Sequence, residues 1–266
     1  MSKGSERKRK EKRDTWIVLC FAAVAVLVVV IMLIVIIGGS QPPQPAVQTA
    51  GSTAAELQDP DTAPSYDIPG YTAVAGAELG QFHDSLSLIS VGRYTGAYVE
   101  DGSDEEITDV AAIVVQNTGA ERIEYCVIKL PYGEESLYFN VSALPAGASA
   151  LVMEAGRSIY SEHMVFSAAQ CLQFALPTAE QRVEFGDSFR LNAIDGVINI
   201  TNLTDQDFTA PVKVFYKTEL EYNLFLGGIA YSVTAQNGVP AGETVQILSS
   251  HYRAGESQIL YMTYES

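Results

Sequence analysis

The sequence has few of the residues from which catalytic and metal sites are usually built. It contains three cysteines, three histidines and one tryptophan in 266 residues. The histidines His83, His163 and His251 have no metal-binding spacing, and no Cys-x-x-Cys pair exists that could hold zinc. A Gly-x-Ser-x-Gly elbow and the glycine motifs of nucleotide sites are also absent, and Gly227-Gly228 predicts only a turn or bulge. We therefore expect no enzyme activity, no cofactor and no metal.

Basic residues are scarce outside the N-terminal tail. Residues 1–14 hold seven of the 16 Lys and Arg residues, which leaves 9 basic against 29 acidic side chains, or −20, for residues 15–266. Such a surface repels phosphate, so we expect no binding of nucleic acid.

Residues 16–37 are predicted to form one transmembrane helix. The run from 17 to 37 contains no charge, and about 20 apolar residues cross the ~30 Å hydrocarbon core of a bilayer. The basic tail, residues 1–15, is then cytoplasmic, and the C-terminal part is extracytoplasmic at the cell membrane. A retained signal anchor fits the length of the run better than a cleaved signal peptide, although Gly38-Gly39-Ser40 leaves cleavage open.

Residues 38–78 are rich in Pro, Gly and Ser, and we expect a disordered stalk. From there on, short segments with Val, Ile, Tyr and Phe alternate with turn residues. This pattern predicts an all-β fold of antiparallel β-sandwich modules, with a short helix possible within Ser158–Gln173. The predicted strands are Arg93–Glu100, Val110–Val115, Ile123–Leu130, Leu137–Val141, Ala150–Met153, Val183–Phe185, Phe189–Ile194, Val197–Thr201, Val212–Lys217, Ile229–Val233, Val245–Leu248 and Ile259–Tyr264.

An internal repeat divides this region into module 1, residues 79–178, and module 2, residues 179–266. The strand that ends at Asn117 aligns with the one that ends at Asn202, and each Asn is followed six residues later by a large apolar side chain. Leu144-Pro-Ala-Gly147 aligns with Val239-Pro-Ala-Gly242. Between these points, with one residue of slippage, Cys126, Ile128 and Leu130 are aligned with Val212, Val214 and Tyr216. Leu137, Phe139 and Val141 are then aligned with Ile229, Tyr231 and Val233.

The same motifs carry a family resemblance. A strand that ends in Asn, a Val-x-Val-Phe-Tyr strand and a Pro-Ala-Gly-Glu turn resemble FxLYD-type and related bacterial immunoglobulin-like modules, most clearly over residues 197–248 and less over 110–153. Module 1 has Leu130-Pro131-Tyr132 in place of the Phe-Tyr pair. The basic tail, single span and stalk are similar to membrane-anchored envelope proteins of Gram-positive bacteria. The resemblance implies two tandem immunoglobulin-like β-sandwich modules outside one transmembrane helix, and it implies no catalytic residues.

The acidic segment 100–109 is the strongest candidate for a metal site. Asp101, Asp104, Glu105 and Asp109 could supply oxygen ligands to calcium. Their spacing does not follow the Asp-x-Asp-x-Asp-Gly loop, and a solvated hairpin tip at Asp101-Gly102 is the favoured interpretation.

Cys126 and Cys171 both lie in module 1, where a disulfide could persist outside the cell. Cys126 shares a strand face with Ile128 and Leu130 and points inward. Cys171 alternates against Phe174, which weakens the pairing geometry. A disulfide and a free buried thiol are both left open.

Fourteen tyrosines all follow residue 65. Tyrosine offers a broad apolar face and a hydroxyl, so those of module 2 form a possible binding face, although cross-strand packing explains them equally. The candidates are Tyr216, Tyr222, Tyr231 and Tyr261.

We expect a non-catalytic, single-pass envelope protein that displays acidic β-sandwich modules to a protein or a glycan. One alternative is an accessory subunit of a multiprotein membrane complex that uses its transmembrane helix as a contact. A secreted hydrolase is the remaining class, and it would need a deep cleft with convergent carboxylates or histidines.

Overall fold

The computed structural model describes residues 66–264 apart from 75, 76, 78 and 179–186, and this part of the chain is built from β-strands without a helix. No helix that could cross a bilayer occurs among these residues, and the predicted span 16–37 lies outside them. The strands are β1 (Tyr71–Val74), β2 (Gly80–His83), β3 (Leu86–Tyr98), β4 (Glu105–Asn117), β5 (Ile123–Tyr132), β6 (Glu135–Leu144), β7 (Ser149–Met153), β8 (Gln170–Ala175), β9 (Phe189–Ile194), β10 (Val197–Asn202), β11 (Val212–Glu221), β12 (Leu224–Ala235), β13 (Thr244–Leu248) and β14 (Ser257–Tyr264).

The prediction of an all-β chain is confirmed, and most predicted strands lie within an observed one. The strand predicted at Val183–Phe185 lies outside the described residues. The helix expected within Ser158–Gln173 is wrong, since this segment crosses the protein in irregular structure and then enters β8. Its backbone is held by other strands instead: Ala111 donates to the carbonyl of Ser158, and Tyr160 donates to that of Asp109.

The strand order repeats along the chain. In the first half β3 pairs with β4 and β4 with β7, while β5 pairs with β6 and β8. In the second half β9, β10 and β13 are joined in the same way, and so are β11, β12 and β14. Each half therefore contains two antiparallel sheets of equal strand order with a hydrophobic core of its own, which is the arrangement of a β-sandwich. We call the halves repeat 1 (β3–β8) and repeat 2 (β9–β14).

Two buried asparagines hold equivalent positions in the two repeats. The Nδ2 of Asn117 donates to the carbonyls of Glu121 and Leu144, and its Oδ1 accepts the N–H of Gly119. The Asn202 side chain does the same in repeat 2, where Nδ2 donates to the carbonyls of Gln206 and Val239 and Oδ1 accepts the N–H of Thr204.

Each asparagine therefore ties the turn that follows its own strand to the residue just before a Pro-Ala-Gly turn. The glycines of those turns, Gly147 and Gly242, both have positive φ, at 74° and 66°. The match of side-chain bonds and turn geometry confirms the alignment of Asn117 with Asn202 and of the two Pro-Ala-Gly segments.

The alignment within β6 and β12 is wrong by two residues. Leu130 pairs with Leu137 in repeat 1, and the aligned Tyr216 pairs with Tyr231 in repeat 2. Leu137 therefore corresponds to Tyr231 rather than to Ile229. A shift of two keeps every side chain on the same face of its strand, so the alternation in the sequence could not reveal it.

The two repeats share one sheet. β7, an edge of repeat 1, runs parallel to β12, an edge of repeat 2, and this pairing extends from Leu224–Ser149 to Leu226–Leu151. An eight-stranded sheet results, in the order β1-β3-β4-β7-β12-β11-β14 with β2 also on β3. Repeats 1 and 2 both belong to one compact unit, Ala54–Ser266.

A bulge in β12 ends this parallel pairing. Between the pairs Tyr216–Tyr231 and Thr218–Leu226, β12 has extra residues that include Gly227 and Gly228, as their sequence predicted. Gly227 has a φ of 84°, and a Cβ on Gly228 would overlap the backbone carbonyl oxygen of Asn140. Glycine is therefore required for β12 to pass this closely over β6.

Glu100 and Lys217 satisfy the backbone groups that the bulge leaves without partners. The Glu100 carboxylate accepts the N–H groups of Met153, Gly228 and Ile229 at 2.9–3.2 Å. From the other side, the fully buried Lys217 donates to the carbonyl of Gly228 at 2.6 Å. Burial raises the pKa of Glu100 and lowers that of Lys217 to about 7. These two side chains fix the junction between the repeats.

The segment just before repeat 1 covers the outer side of its first sheet. β1 pairs with the edge strand β3, Tyr71 donates or accepts a 2.8 Å hydrogen bond with Ser90, and Ile68 is buried. These residues belong to the range predicted as a disordered stalk, residues 38–78, so its last part is folded. Tyr66, Ile68 and Tyr71 of that range pack on the sheet. Their apolar side chains were not recognised in the sequence because they stand among prolines and glycines. We call residues 66–74 the strap.

Candidate interaction surface

The outward side of the sheet formed by β9, β10 and β13 is exposed or half-buried at every position. Strand alternation places Ile198 and Ile200 inward, so their neighbours in β10 point outward. The register aligns the outward side chains in three rows across the strands. We call this surface the open face, and its rows are Arg190–Thr201–Thr244, Asn192–Asn199–Gln246 and Ile194–Val197–Leu248.

The three rows differ in chemistry. The first is polar, with Thr201 Oγ1 and Thr244 Oγ1 2.8 Å apart. The second consists of three carboxamides, which both donate and accept hydrogen bonds. The third is apolar, and Ile194 and Leu248 are 55% and 80% exposed. Together with Val197 these two side chains form an apolar row across all three strands, and it is contiguous apolar patches rather than scattered apolar residues that mark interaction sites.

The open face also lacks the acidic character of the chain. The protein carries −16 overall, but Arg190 is the one ionisable side chain among the nine residues of the open face. A partner that approaches this face therefore avoids the repulsion that it would meet from clustered carboxylates elsewhere.

The equivalent face of repeat 1 is buried. Since Asn117 corresponds to Asn202, Val114 and Leu151 occupy the places of Asn199 and Gln246, and both are at most 1% exposed. Met153 is completely buried, while Leu248 at the same place in repeat 2 is 80% exposed. The strap packs over this face of repeat 1 and adds β1 to its edge.

In repeat 2 the corresponding edge strand is β9. No strand of the described residues pairs with its outer edge or with that of β13, so within this part of the chain both edges of the sheet lack a strand partner. Exposed strand edges of this kind accept an added strand from another segment.

The tyrosines predicted as a binding face do not lie on one surface. Tyr216 and Tyr261 are 2% and 6% exposed, and Tyr216 donates or accepts a 2.6 Å hydrogen bond with Ser249. Buried side chains of this kind are not available to a ligand. Tyr231 is half-buried, where it stacks between Tyr216 and His251, and Tyr222 is exposed at the β11–β12 turn. The rings of Tyr216 and Tyr231 stack on each other, so this contact stabilises the interior of repeat 2 and does not form a binding surface.

Tyr261 belongs to a contact between the repeats. Its ring stacks on Phe215 at 4.5 Å, the Arg122 guanidinium lies 3.4 Å from its centroid, and its hydroxyl donates to Glu124. Arg122 and Glu124 come from repeat 1, so this tyrosine helps to fasten the two repeats.

The acidic segment forms the predicted hairpin turn, with Gly102 at a φ of 71° between β3 and β4. Its carboxylates are divided among three side chains, two arginines and one histidine. Arg157 binds Asp101 and Glu105, Asp104 lies 3.1 Å from Nδ1 of His251, and Arg93 lies 3.4 Å from Asp109.

Hydrogen bonds from Ser103 and the contact with Arg157 lower the pKa of Asp101. Within the described part of the chain, no group of three or more His, Cys, Asp or Glu residues could hold a metal ion. The four calcium candidates therefore do not converge on a common point.

Cys126 and Cys171 face each other across β5 and β8. Their Sγ atoms are 3.3 Å apart, and both are free thiols. The strict alternation that separated Cys171 from Phe174 in the sequence is interrupted by a bulge, because Val127 pairs with Gln173 while the next residue, Ile128, pairs with Cys171. Leu172 is the extra residue, and it points outward while Cys171 and Phe174 both point to the core.

The open face was not predicted from the sequence. The signal was present in the outward positions of β9, β10 and β13, where Asn192, Asn199 and Gln246 follow the period of two. Asparagine and glutamine in outward strand positions are ordinary at a solvated surface, so their meaning depends on their alignment across three strands. No known protein family, no curated protein and no solved structure matches this chain.

Proposed function

We propose that this chain is a non-catalytic envelope protein, held at the cell membrane by one N-terminal span, and that it binds a polypeptide partner on the open face. The apolar run 17–37 and the basic tail support the anchor, and the acidic composition supports an extracytoplasmic position. The equal strand order of the two repeats supports tandem modules of the immunoglobulin-like type.

One observation carries the proposed binding function. The strap, a segment of polypeptide, covers this face in repeat 1, whereas no described residue covers the equivalent face of repeat 2. The strap contributes aromatic and apolar side chains to the sheet and one strand to its edge. An apolar row and two unpaired edges offer the same two kinds of contact to a partner in repeat 2.

A glycan is the other class of ligand for such a face. Carboxamides suit hydroxyl groups, but no aromatic side chain lies among the nine residues of the open face on which a sugar ring could stack. The apolar row Ile194–Val197–Leu248 and the open strand edges favour a polypeptide.

Site-specific photo-crosslinking in the native host tests the proposal. A photoreactive residue at Gln246 lies on the open face, and the same residue at Gln173 gives a matched control, because Gln173 is an exposed strand residue on another sheet. We expect a protease-sensitive adduct of discrete mass from position 246 and none from position 173. The substitution Leu248→Asp should abolish the adduct while the thermal melting curve changes little, because this side chain is 80% exposed.

Four outcomes contradict the proposal. Equal adducts from both positions, or none from position 246, would show that the open face has no specific partner. An adduct that resists protease and is released by glycoside cleavage would replace the polypeptide with a glycan. Loss of the adduct when the span is exchanged for an unrelated apolar helix would favour the accessory subunit that contacts its complex through the membrane.

A further inference from the structure

We propose that Cys126 and Cys171 form a disulfide that fastens the edge strand β8 to the central strand β5 of repeat 1. The two sulfur atoms are 3.3 Å apart on neighbouring strands, and both side chains point to the same core. The sulfur atoms must approach to about 2.0 Å, a movement of little more than 1 Å that rotation of the side chains can supply.

The bulge at Leu172 makes this contact possible. In a regular antiparallel pair, Cys171 would face away from the core if Phe174 faces toward it. The extra residue reverses the alternation at one point, so that Cys171 enters the core beside Cys126. A bulge in an edge strand that brings two thiols into contact is the observation on which the disulfide rests.

The surroundings of the two thiols differ and set the order of the reaction. Cys126 is completely buried, and burial together with the neighbouring Cys171 thiol raises its pKa. Cys171 is partly exposed at the edge of the sheet. The accessible sulfur of Cys171 therefore reacts first with an external oxidant, and Cys126 completes the bond from inside.

The oxidant is a disulfide, either of an exported thiol oxidoreductase or of a small molecule such as oxidised glutathione. The Cys171 thiolate attacks one sulfur of that disulfide and forms a mixed disulfide, and the leaving thiolate takes up a proton. Cys126 then loses its proton and attacks the Sγ of Cys171, which releases the second carrier thiol. Two protein thiols lose two electrons and two protons, and the carrier disulfide is reduced to two thiols.

The disulfide would stabilise the part of repeat 1 that is least enclosed. β8 is the last strand of its sheet, its outward side chain Leu172 is 52% exposed, and Leu176, directly after the strand, is 43% exposed. A covalent link to β5 keeps this edge in place and closes a long loop between the two cysteines. By the loop-closure argument, we expect an increase in melting temperature of about 5–15 °C.

The test uses the full chain, extracted in detergent after rapid acid quenching of cells and alkylation with N-ethylmaleimide. Cys20 serves as an internal control because it has no proposed partner. We expect Cys20 alone to be alkylated, and mass spectrometry to recover one linked peptide pair containing Cys126 and Cys171. Dithiothreitol should lower the melting temperature of the wild type by about 5–15 °C and leave Cys171→Ser unchanged.

A second experiment tests the disulfide independently of the proposed extracytoplasmic position. In cells, formation of the disulfide depends on that position. Purified, reduced protein is treated with oxidised glutathione. Closure in the tube combined with free thiols in cells would support the disulfide geometry and contradict the extracytoplasmic position. Failure to close in the tube, or a linked pair without any effect of dithiothreitol on melting, would overturn the inference and leave the open face untouched.

Discussion

The paired asparagines give the sharpest prediction about stability. Asn202→Ala removes the side chain whose Nδ2 donates to Gln206 and Val239 and whose Oδ1 accepts from Thr204. The residue is 1% exposed, so water cannot readily replace these bonds. Three backbone hydrogen bonds at about 1 kcal/mol each give a loss of about 3 kcal/mol, and more if the carbonyl of Val239 stays buried without a donor.

A matched control lies on the same strand. Asn199 is three residues away on the outward side of β10, where no side-chain hydrogen bond to the described residues is found. We expect Asn199→Ala to change the free energy of unfolding by no more than about 0.5 kcal/mol. The equivalent substitution Asn117→Ala in repeat 1 should cost about as much as Asn202→Ala, since its hydrogen bonds are the same.

Equilibrium unfolding in urea, followed by far-ultraviolet circular dichroism, measures these differences. For a protein of this size the slope is about 3 kcal/mol per molar urea, so a loss of about 3 kcal/mol moves the midpoint by about 1 M. The shared sheet predicts one transition for both repeats rather than two. If Asn202→Ala moves the midpoint no further than Asn199→Ala does, the asparagine bonds do not stabilise the fold and the argument fails.

Two more predictions concern the junction between the repeats. Gly228→Ala should lower the free energy of unfolding by about 3 kcal/mol or more in the same urea assay, because the new Cβ overlaps the carbonyl of Asn140. Gly242→Ala is the control: its Cβ meets no atom within 4 Å, so it should cost only about 1 kcal/mol from its positive φ. Equal losses would contradict the close packing of β12 on β6. The pKa of Lys217 is lowered from 10.5 to about 7 in the folded protein, so the unfolded chain binds more protons than the folded protein between these pH values. The free energy of unfolding should therefore rise with pH by up to about 1.4 kcal/mol per unit across this window, and Lys217→Met should remove the rise. Parallel curves for the two proteins would refute the assignment.

Local chemistry explains why the strands were predictable. The apolar side chains of a strand with one buried side recur every two residues, and turns favour glycine, proline or asparagine. Both patterns are therefore visible within a few consecutive residues of the sequence. The repeat was recognisable because Asn117 and Asn202 each end a strand, and a Pro-Ala-Gly turn follows each of them later in the chain. The span at 17–37 and the boundary between modules 1 and 2 remain predictions, since residues 1–65 and 179–186 lie outside the described part of the chain.

Features that depend on distant neighbours were not predictable from the sequence. The bulge at Leu172 brings Cys171 beside Cys126, and the strict alternation of the sequence gave the opposite expectation. Tyr216 and Tyr261 were candidates for a surface because tyrosine suits both surfaces and cores, and only the packing of the repeats assigns them to the interior. The strap is a further case, since three apolar anchors among prolines and glycines have no local period.

The sequence by itself determined the strands, their turns, the internal repeat and the acidic charge balance, because each depends on composition or on short-range spacing. Tertiary structure alone decided that β7 joins β12 and that the strap covers this face in repeat 1, while no described residue covers the open face of repeat 2. The physical reason is that edge pairing and burial depend on surfaces far apart in the chain. Val114 and Asn199 occupy equivalent positions in their repeats. The burial of each side chain depends on segments that are distant in the chain, and the alternation within its own strand does not predict it.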